Sequence, residues 1–190
     1  MNEDEIAAYL DGIREEHEEN TFFFQHNLGA DVQCFFAQGL SALKAELYLA
    51  ACSSFIIGIE ASLRITQAQI ETPVVINELD PIKTLSNRLL NDAGNNELPI
   101  NLLAFPEEDD FFEKLNSIGQ NRRNVEIVRI RHDLCHGNIL EHRNSELGDG
   151  NIIFTPECVR DLSMNLYQIS RKWAEGLGEF RVNRFNLSQS

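Results

Sequence analysis

The sequence predicts an all-α protein, a bundle of five or six helices, and three observations carry that reading. Apolar residues recur at three- and four-residue spacing along most of the chain, which places them on one face of a helix. Helix punctuation separates these runs, as at Asp80-Pro81, Gly137 and Thr155-Pro156-Glu157. Only Asn151 to Phe154 hints at extended structure, and no internal repeat is apparent. A chain of 190 residues with 43% hydrophobic content suits one domain with a sizeable core.

Taken in order, Ile6, Leu10 and Ile13 mark a short amphipathic helix within residues 1–20, its other face crowded with Glu15, Glu16, Glu18 and Glu19. It reads as a solvated or partner-facing arm on a single helical domain over residues 21–180, followed by a loose tail at 181–190. Phe22, Phe23 and Phe24 are expected to plug the core or a dimer seam rather than to stack on bases. Val32, Phe36, Leu40, Leu43 and Leu47, continued by Tyr48, Ala51, Phe55, Ile59 and Leu63, predict one long helix or two joined ones, packed on several sides. Asp80-Pro81 supplies an N-cap and first-turn proline for a helix carrying Ile82, Leu85 and Leu89, and Asn91 to Pro99 reads as a loop. Glu107 to Asp110 bring negative charge to the first turn of a helix with Phe112, Leu115 and Ile118 inside, and Gly119-Gln120-Asn121 breaks it. Val125, Ile127, Ile130 and Leu134 form the apolar side of the next helix, and Ser145 to Gly150 an exposed loop. The last helix opens at Thr155-Pro156-Glu157, buries Val159, Leu162, Leu166, Ile169 and Trp173, and stops at Gly176.

The longest uncharged apolar stretch, Leu47 to Ile59, is too short to span a bilayer, and the N-terminus is acidic rather than signal-like. A soluble cytoplasmic protein with no membrane partner is the expectation. Cys34, Cys52, Cys135 and Cys158 form no CxxC pair, so reduced thiols are expected, with Cys135 buried and inert. A net charge of −14 weighs against an overall polyanion-binding surface. The charge is uneven, however: residues 1–20 hold eight acids against Arg14, while Arg122, Arg123, Arg129, Arg131 and Arg143 gather with three of the five histidines. Such an island suits a small RNA footprint, with Arg122, Arg123, Arg129 and Arg143 contacting phosphates, or a site normally covered by a partner's acidic surface. The competing account is a solvated face laced by the i to i+4 bridges Arg122–Glu126 and Arg129–Asp133.

The strongest chemical signal is Arg131-His132-Asp133-Leu134-Cys135-His136-Gly137-Asn138. An arginine can hold a phosphate and a histidine can move a proton, a minimal toolkit for cutting RNA. Positions i and i+5 lie about 140° apart on an ideal helix, so the two side chains do not meet by default. Gly137, in the left-handed conformation that ends helices, would make His136 terminal, where the arginine arm or a second copy of the motif can face it. Partial negative charge at that terminus favours an imidazolium. Asn138 is expected to cap the helix. Glu60 either reaches toward the motif arginine or, more simply, pairs with Arg64 at i to i+4. His132 and His136 share a helical face near Cys135, the start of a zinc site, but further ligands such as His142 and Cys158 would have to arrive by folding, and the adjacent arginine disfavours a cation. No metal or cofactor is expected.

From Arg131 through the polar His132 to His136-Gly137, the motif resembles the R-polar-x-x-x-H signature of the HEPN family. The likeness extends over residues 30–177, with only the eight-residue motif being specific. It implies a HEPN-like helical bundle, a homodimer with motifs facing across the interface, and a metal-independent endoribonuclease with Arg131 and His136 as the catalytic pair. His132 occupies the family's variable polar position, with Asn138 and Glu60 in support. Cleavage would use the RNA's own 2′-hydroxyl. The family is also rich in toxins and antiviral-defence factors, which implies an antitoxin or regulatory protein as a further partner. Other members are inactive helpers, so a non-catalytic, dimeric binding or regulatory module, docking a partner through the acidic N-terminal helix, is the alternative.

Overall fold

The structure is a computed structural model that describes residues 3–72, 79–80, 82–138, 140–144 and 153–185. Among these residues seven α-helices are joined by 3-10 turns and loops, and the only β-pairing is an isolated antiparallel bridge between Asn144 and Ile153. The helices are α1 (Glu3–Thr21), α2 (Gln33–Lys44), α3 (Tyr48–Glu71), α4 (Asn87–Asn95), α5 (Phe111–Leu115), α6 (Glu126–Cys135) and α7 (Arg160–Phe185). The protein is therefore all-α, with more helices than the five or six expected. The run from Val32 to Leu63 divides at Ala45 to Leu47, where Glu46 takes a positive φ of 59° and turns the chain back on itself.

Helix α3 is the centre of the bundle. Packed between α2 and α7, it buries Ala51, Cys52, Phe55, Ile59, Leu63 and Thr66 completely. At 24 residues it is long and apolar enough to cross a membrane by length and composition, because the helix continues past the uncharged run through Glu60 and Arg64 to Glu71. Much of its apolar surface is taken up by the protein itself, although Leu49 and Ile57 are exposed: Phe55 meets Tyr167 of α7 at 5.8 Å between ring centroids, within a continuous buried cluster. Some of the polar groups that enter this core are partnered across helices, whereas the buried Ser170 hydroxyl has no hydrogen-bond partner among the described residues. The Trp173 indole N–H donates to Ser62 Oγ at 2.8 Å, and Arg181 Nη1 donates to Thr66 Oγ1 at 2.8 Å. Phe23 is buried and stacks on Phe36 at 5.0 Å, so it plugs the core, whereas Phe24 is exposed.

Several local expectations are corrected. Helix α7 does not stop at Gly176, where a Cβ would come within 2.3 Å of Leu102 Cδ1; this glycine permits close approach inside a helix that runs on to Phe185. The tail consequently does not begin at 181. Arg181 is only 3% exposed, and burial pushes its guanidinium pKa down to about 10. The helix expected from Asp80-Pro81 begins instead after Ser86, whose Oγ accepts from the Leu89 amide at 3.2 Å, and continues through Asn91 to Asn95, where a loop was expected. Asp80 makes a local turn by accepting from the Ile82 amide. Helix α5 is a bare five residues that buries Phe111 and Leu115, leaving Phe112 54% and Ile118 83% exposed. Asn151, Ile152 and the expected loop at Ser145 to Gly150 lie outside the described residues.

Helix α6, which carries the arginine-histidine motif, has ten residues and would be marginal by itself. Val125, Ile127, Val128 and Ile130 anchor its apolar side. Two polar side chains from elsewhere fix its start. Asn87 Oδ1 accepts from the Val125 amide at 3.2 Å, while Asn87 Nδ2 donates to the carbonyls of Lys114 (3.1 Å) and Arg123 (2.8 Å). Glu108 Oε1 accepts from the Glu126 amide at 2.7 Å and is itself paired with Lys114 at 3.1 Å, placing negative charge at the positive end of α6. Because Asn87 is buried, its removal strands three backbone groups. Asn87→Ala is expected to destabilise the protein by about 2–4 kcal/mol, and Asn87→Asp to be no better because a carboxylate cannot donate to the two carbonyls. Urea unfolding of the three proteins measures this.

Candidate functional site

The C-terminal end of α6 has the geometry its sequence implies. Gly137 adopts a φ of +68°, the Asn138 amide donates to the Asp133 carbonyl at 2.8 Å, and the Gly137 amide donates to the Leu134 carbonyl at 3.3 Å. This pair of bonds is the Schellman arrangement, and it makes His136 the C-cap. Asn138 also donates from its side chain to Asp133 Oδ1 at 3.2 Å, so it acts in the cap.

His132 and His136, one turn apart, are exposed and lie ring to ring with centroids 4.4 Å apart. Arg131 leaves in another direction. Its Nε is 3.1 Å from Glu60 Oε2 on α3, and the same oxygen accepts from the Leu85 amide at 2.9 Å. Glu60 Oε1 is 3.6 Å from Arg64 Nη1, and Arg64 donates to the Asp80 carbonyl at 2.6 Å. Glu60 thus makes both contacts between which the sequence left a choice, and the contact to the motif arginine is the shorter. It ties α6 to α3 across 71 positions of sequence.

The arginine island is brought together only in part, and most of its charge is already answered. Arg129 meets Glu126 at 2.6 Å, Asp133 at 2.9 Å and Glu141 at 2.7 Å. Arg123 pairs with Glu113 at 2.6 Å and Asp110 at 3.4 Å, and Arg143 donates to the Leu140 carbonyl at 3.2 Å. Of the expected bridges, Arg129–Asp133 forms. Arg122–Glu126 does not, because Arg122 precedes the helix and Glu126 turns to Arg129. Exposed Arg122 has no ion pair among the described residues and lines a shallow concavity with Asn87, Arg88 and Asn91.

The four cysteines are free, and Cys135, the last residue of α6, is exposed rather than buried. His142 and Cys158 line a separate concavity of about 400 Å³ with Arg129, Glu141 and Arg143, away from the histidine pair. Among the described residues no group of three or more His, Cys, Asp or Glu side chains is arranged to hold a metal ion.

Sequence reasoning missed Asn87 and Glu108, which act over 38 and 18 positions and leave no local trace. It also missed Glu141 as the third partner of Arg129. The resulting charge network is pH-dependent. The bond from Arg129 holds Glu126 below the usual carboxylate range against the opposing effect of burial. For Asp133 burial acts upward, but Asn138, His132 and Arg129 together keep the carboxyl below its ordinary value. A carboxyl whose pKa is lower folded than unfolded stabilises the fold above its unfolded pKa and loses that contribution as pH falls through the folded value. Arg129→Met is therefore expected to lower the melting temperature most at neutral pH, and the gap to the unsubstituted protein to close below roughly pH 4. Thermal melts of both proteins across that range check the sign.

No family model, curated protein or solved structure matches this chain, and the site therefore rests on its own geometry.

Proposed function

We propose that this protein is a metal-independent endoribonuclease of HEPN type, with Arg131 and His136 as its catalytic pair. The observation that carries the reading is the placement of His136. It is an exposed imidazole on a rigidly capped helix end, in an all-helical bundle, on the same short helix as a guanidinium braced by Glu60. The RNA 2′-hydroxyl attacks the adjacent phosphorus, the bond from phosphorus to the 5′-oxygen breaks, and the products are a 2′,3′-cyclic phosphate and a 5′-hydroxyl. His136 takes the proton from the 2′-hydroxyl or gives one to the departing oxygen. Arg131 offers its planar fork to the charge that builds on the phosphorane, a role a lysine fills less well. Glu60 holds the Arg131 Nε edge. That leaves the terminal nitrogens for phosphate, and a homodimer would let two histidines divide the acid and base steps. DNA lacks the nucleophile and should not be cut. In this reading the protein is cytoplasmic, needs no cofactor, and serves as a toxin or antiviral-defence factor governed by an antitoxin or regulatory protein.

One observation favours a second reading, a non-catalytic dimeric binding or regulatory module. Helix α1 leaves Ile6, Tyr9, Leu10 and Ile13 exposed along one stripe beside its acidic face, as a helix that docks on another protein would. The pairing of Arg123 and Arg129 also reduces the charge available to RNA.

Incubation of a mixed RNA pool in EDTA with the protein and with His136→Ala and Arg131→Ala variants separates the two. Cutting by the unsubstituted protein alone, with cyclic-phosphate ends and a loss of at least about 100-fold in the His136 variant, is the expected outcome. Equal cutting by all three, or none by any, would leave the binding module as the better account.

A further inference from the structure

The same helix end has a second chemistry that does not depend on RNA. We propose that His132 and His136 form a two-imidazole site for a borderline divalent transition metal, zinc above all. Histidines at i and i+4 project from one face of a helix, and here their rings are 4.4 Å apart. A tetrahedral zinc holds imidazole nitrogens at about 2.0–2.1 Å, which separates two donors by about 3.4 Å.

Four features favour a metal at this pair over a casual contact between exposed rings. Asp133 Oδ1 lies 3.6 Å from His132 Nδ1, so a small turn of the ring would let Nδ1–H donate to the carboxylate and leave the Nε2 lone pair for a metal. That carboxylate is itself held, by Arg129 at 2.9 Å and Asn138 at 3.2 Å, so it presents a fixed surface to the imidazole. The Schellman turn fixes the backbone of His136, and the helix C-terminus directs partial negative charge toward a cation. The positive charges that would repel a metal are engaged elsewhere: Arg131 with Glu60, and Arg129 with three carboxylates that outnumber it. Two neutral nitrogen donors suit zinc, copper and nickel and do not suit magnesium or calcium, which take oxygen ligands. With no third ligand from the described residues of this chain, the remaining positions belong to water.

Occupancy would engage the lone pair of His136. Resting on the nuclease reading above, this makes zinc an inhibitor of cleavage and EDTA permissive for it.

Calorimetric titration of the full chain with zinc chloride, read without RNA, tests the site. The expected result is at most one zinc per chain at the pair, an affinity loss of tenfold or more in His132→Ala/His136→Ala, retention of binding in Cys135→Ser, and no corresponding heat with magnesium. Equal zinc affinity in the double variant and the unsubstituted protein, loss of binding in Cys135→Ser alone, or magnesium binding that depends on the pair would each overturn it. Both histidines are exposed, so the double variant should keep its helicity, which circular dichroism confirms. A zinc-binding protein that cuts no RNA in EDTA would sustain this site and remove the nuclease; a zinc-indifferent protein that cuts RNA would do the reverse.

Discussion

The arrangement of the motif depends on a buried amide. Asn87 accepts from one backbone amide and donates to two carbonyls, joining α4, the end of α5 and the entry to α6. Helices of nine, five and ten residues are too short to be held by their own hydrogen bonds. Their order comes from packing, α4 and α6 against α3 and α5 against α4, and from polar groups lent across the chain. Glu108 makes the same kind of loan at the first turn of α6, where the freed backbone amides need an acceptor and the helix dipole favours an anion. A helix whose start is fixed by two distant side chains and whose end is fixed by its own turn has little freedom to shift its register. The residues at its end therefore inherit definite positions.

Glu60 extends this logic from backbone to chemistry. A carboxylate on the central helix is costly to bury unless its lone pairs are used, and here Arg131, Arg64 and the Leu85 amide use them. The consequence for Arg131 is directional. Its charge is held toward α3 on one edge, and it is separated from His136 within one chain, as the i to i+5 spacing requires. On the nuclease reading proposed above, an arginine held at one edge and an exposed histidine at the helix terminus would suit two motifs meeting across a dimer better than a reaction completed within one protomer.

Much of the bundle and the motif's local geometry was legible in the sequence, because both rest on short-range signals. The three- and four-residue spacing of Phe36, Leu40, Phe55, Ile59, Leu63, Leu166, Ile169 and Trp173 identified the elements that became the core. Gly137 marked the helix end and Asn138 its cap, since both act within five residues. The failures are of two physical kinds. Glycine was read as a terminator at 176, where it instead permits close packing on Leu102, a distinction that only the tertiary neighbour decides. Punctuation at Asp80-Pro81 was read as a helix start, but the buried Asn87 selected a later one at Ser86. In the site itself, the sequence offered Glu60's reach to Arg131 as the less simple of two pairings and the fold makes both, whereas the triple pairing of Arg129 needed the fold to become visible.

The charge pattern illustrates why composition misleads at a site. Counted along the chain, the arginines near the motif form a basic island; placed in space, Arg123 and Arg129 are answered by acids, and Arg131 by Glu60. Open to solvent at the end of α6, beside exposed Cys135, is a pair of imidazoles on a helix that those ion pairs tie to its neighbours. Rigidity and exposure together are what a proton-transfer group and a metal ligand both require, and a single histidine cannot serve the two at once because each uses the same lone pair. On the two proposals made here, proton transfer and metal binding would therefore compete for His136, with relative affinity and concentration deciding between them.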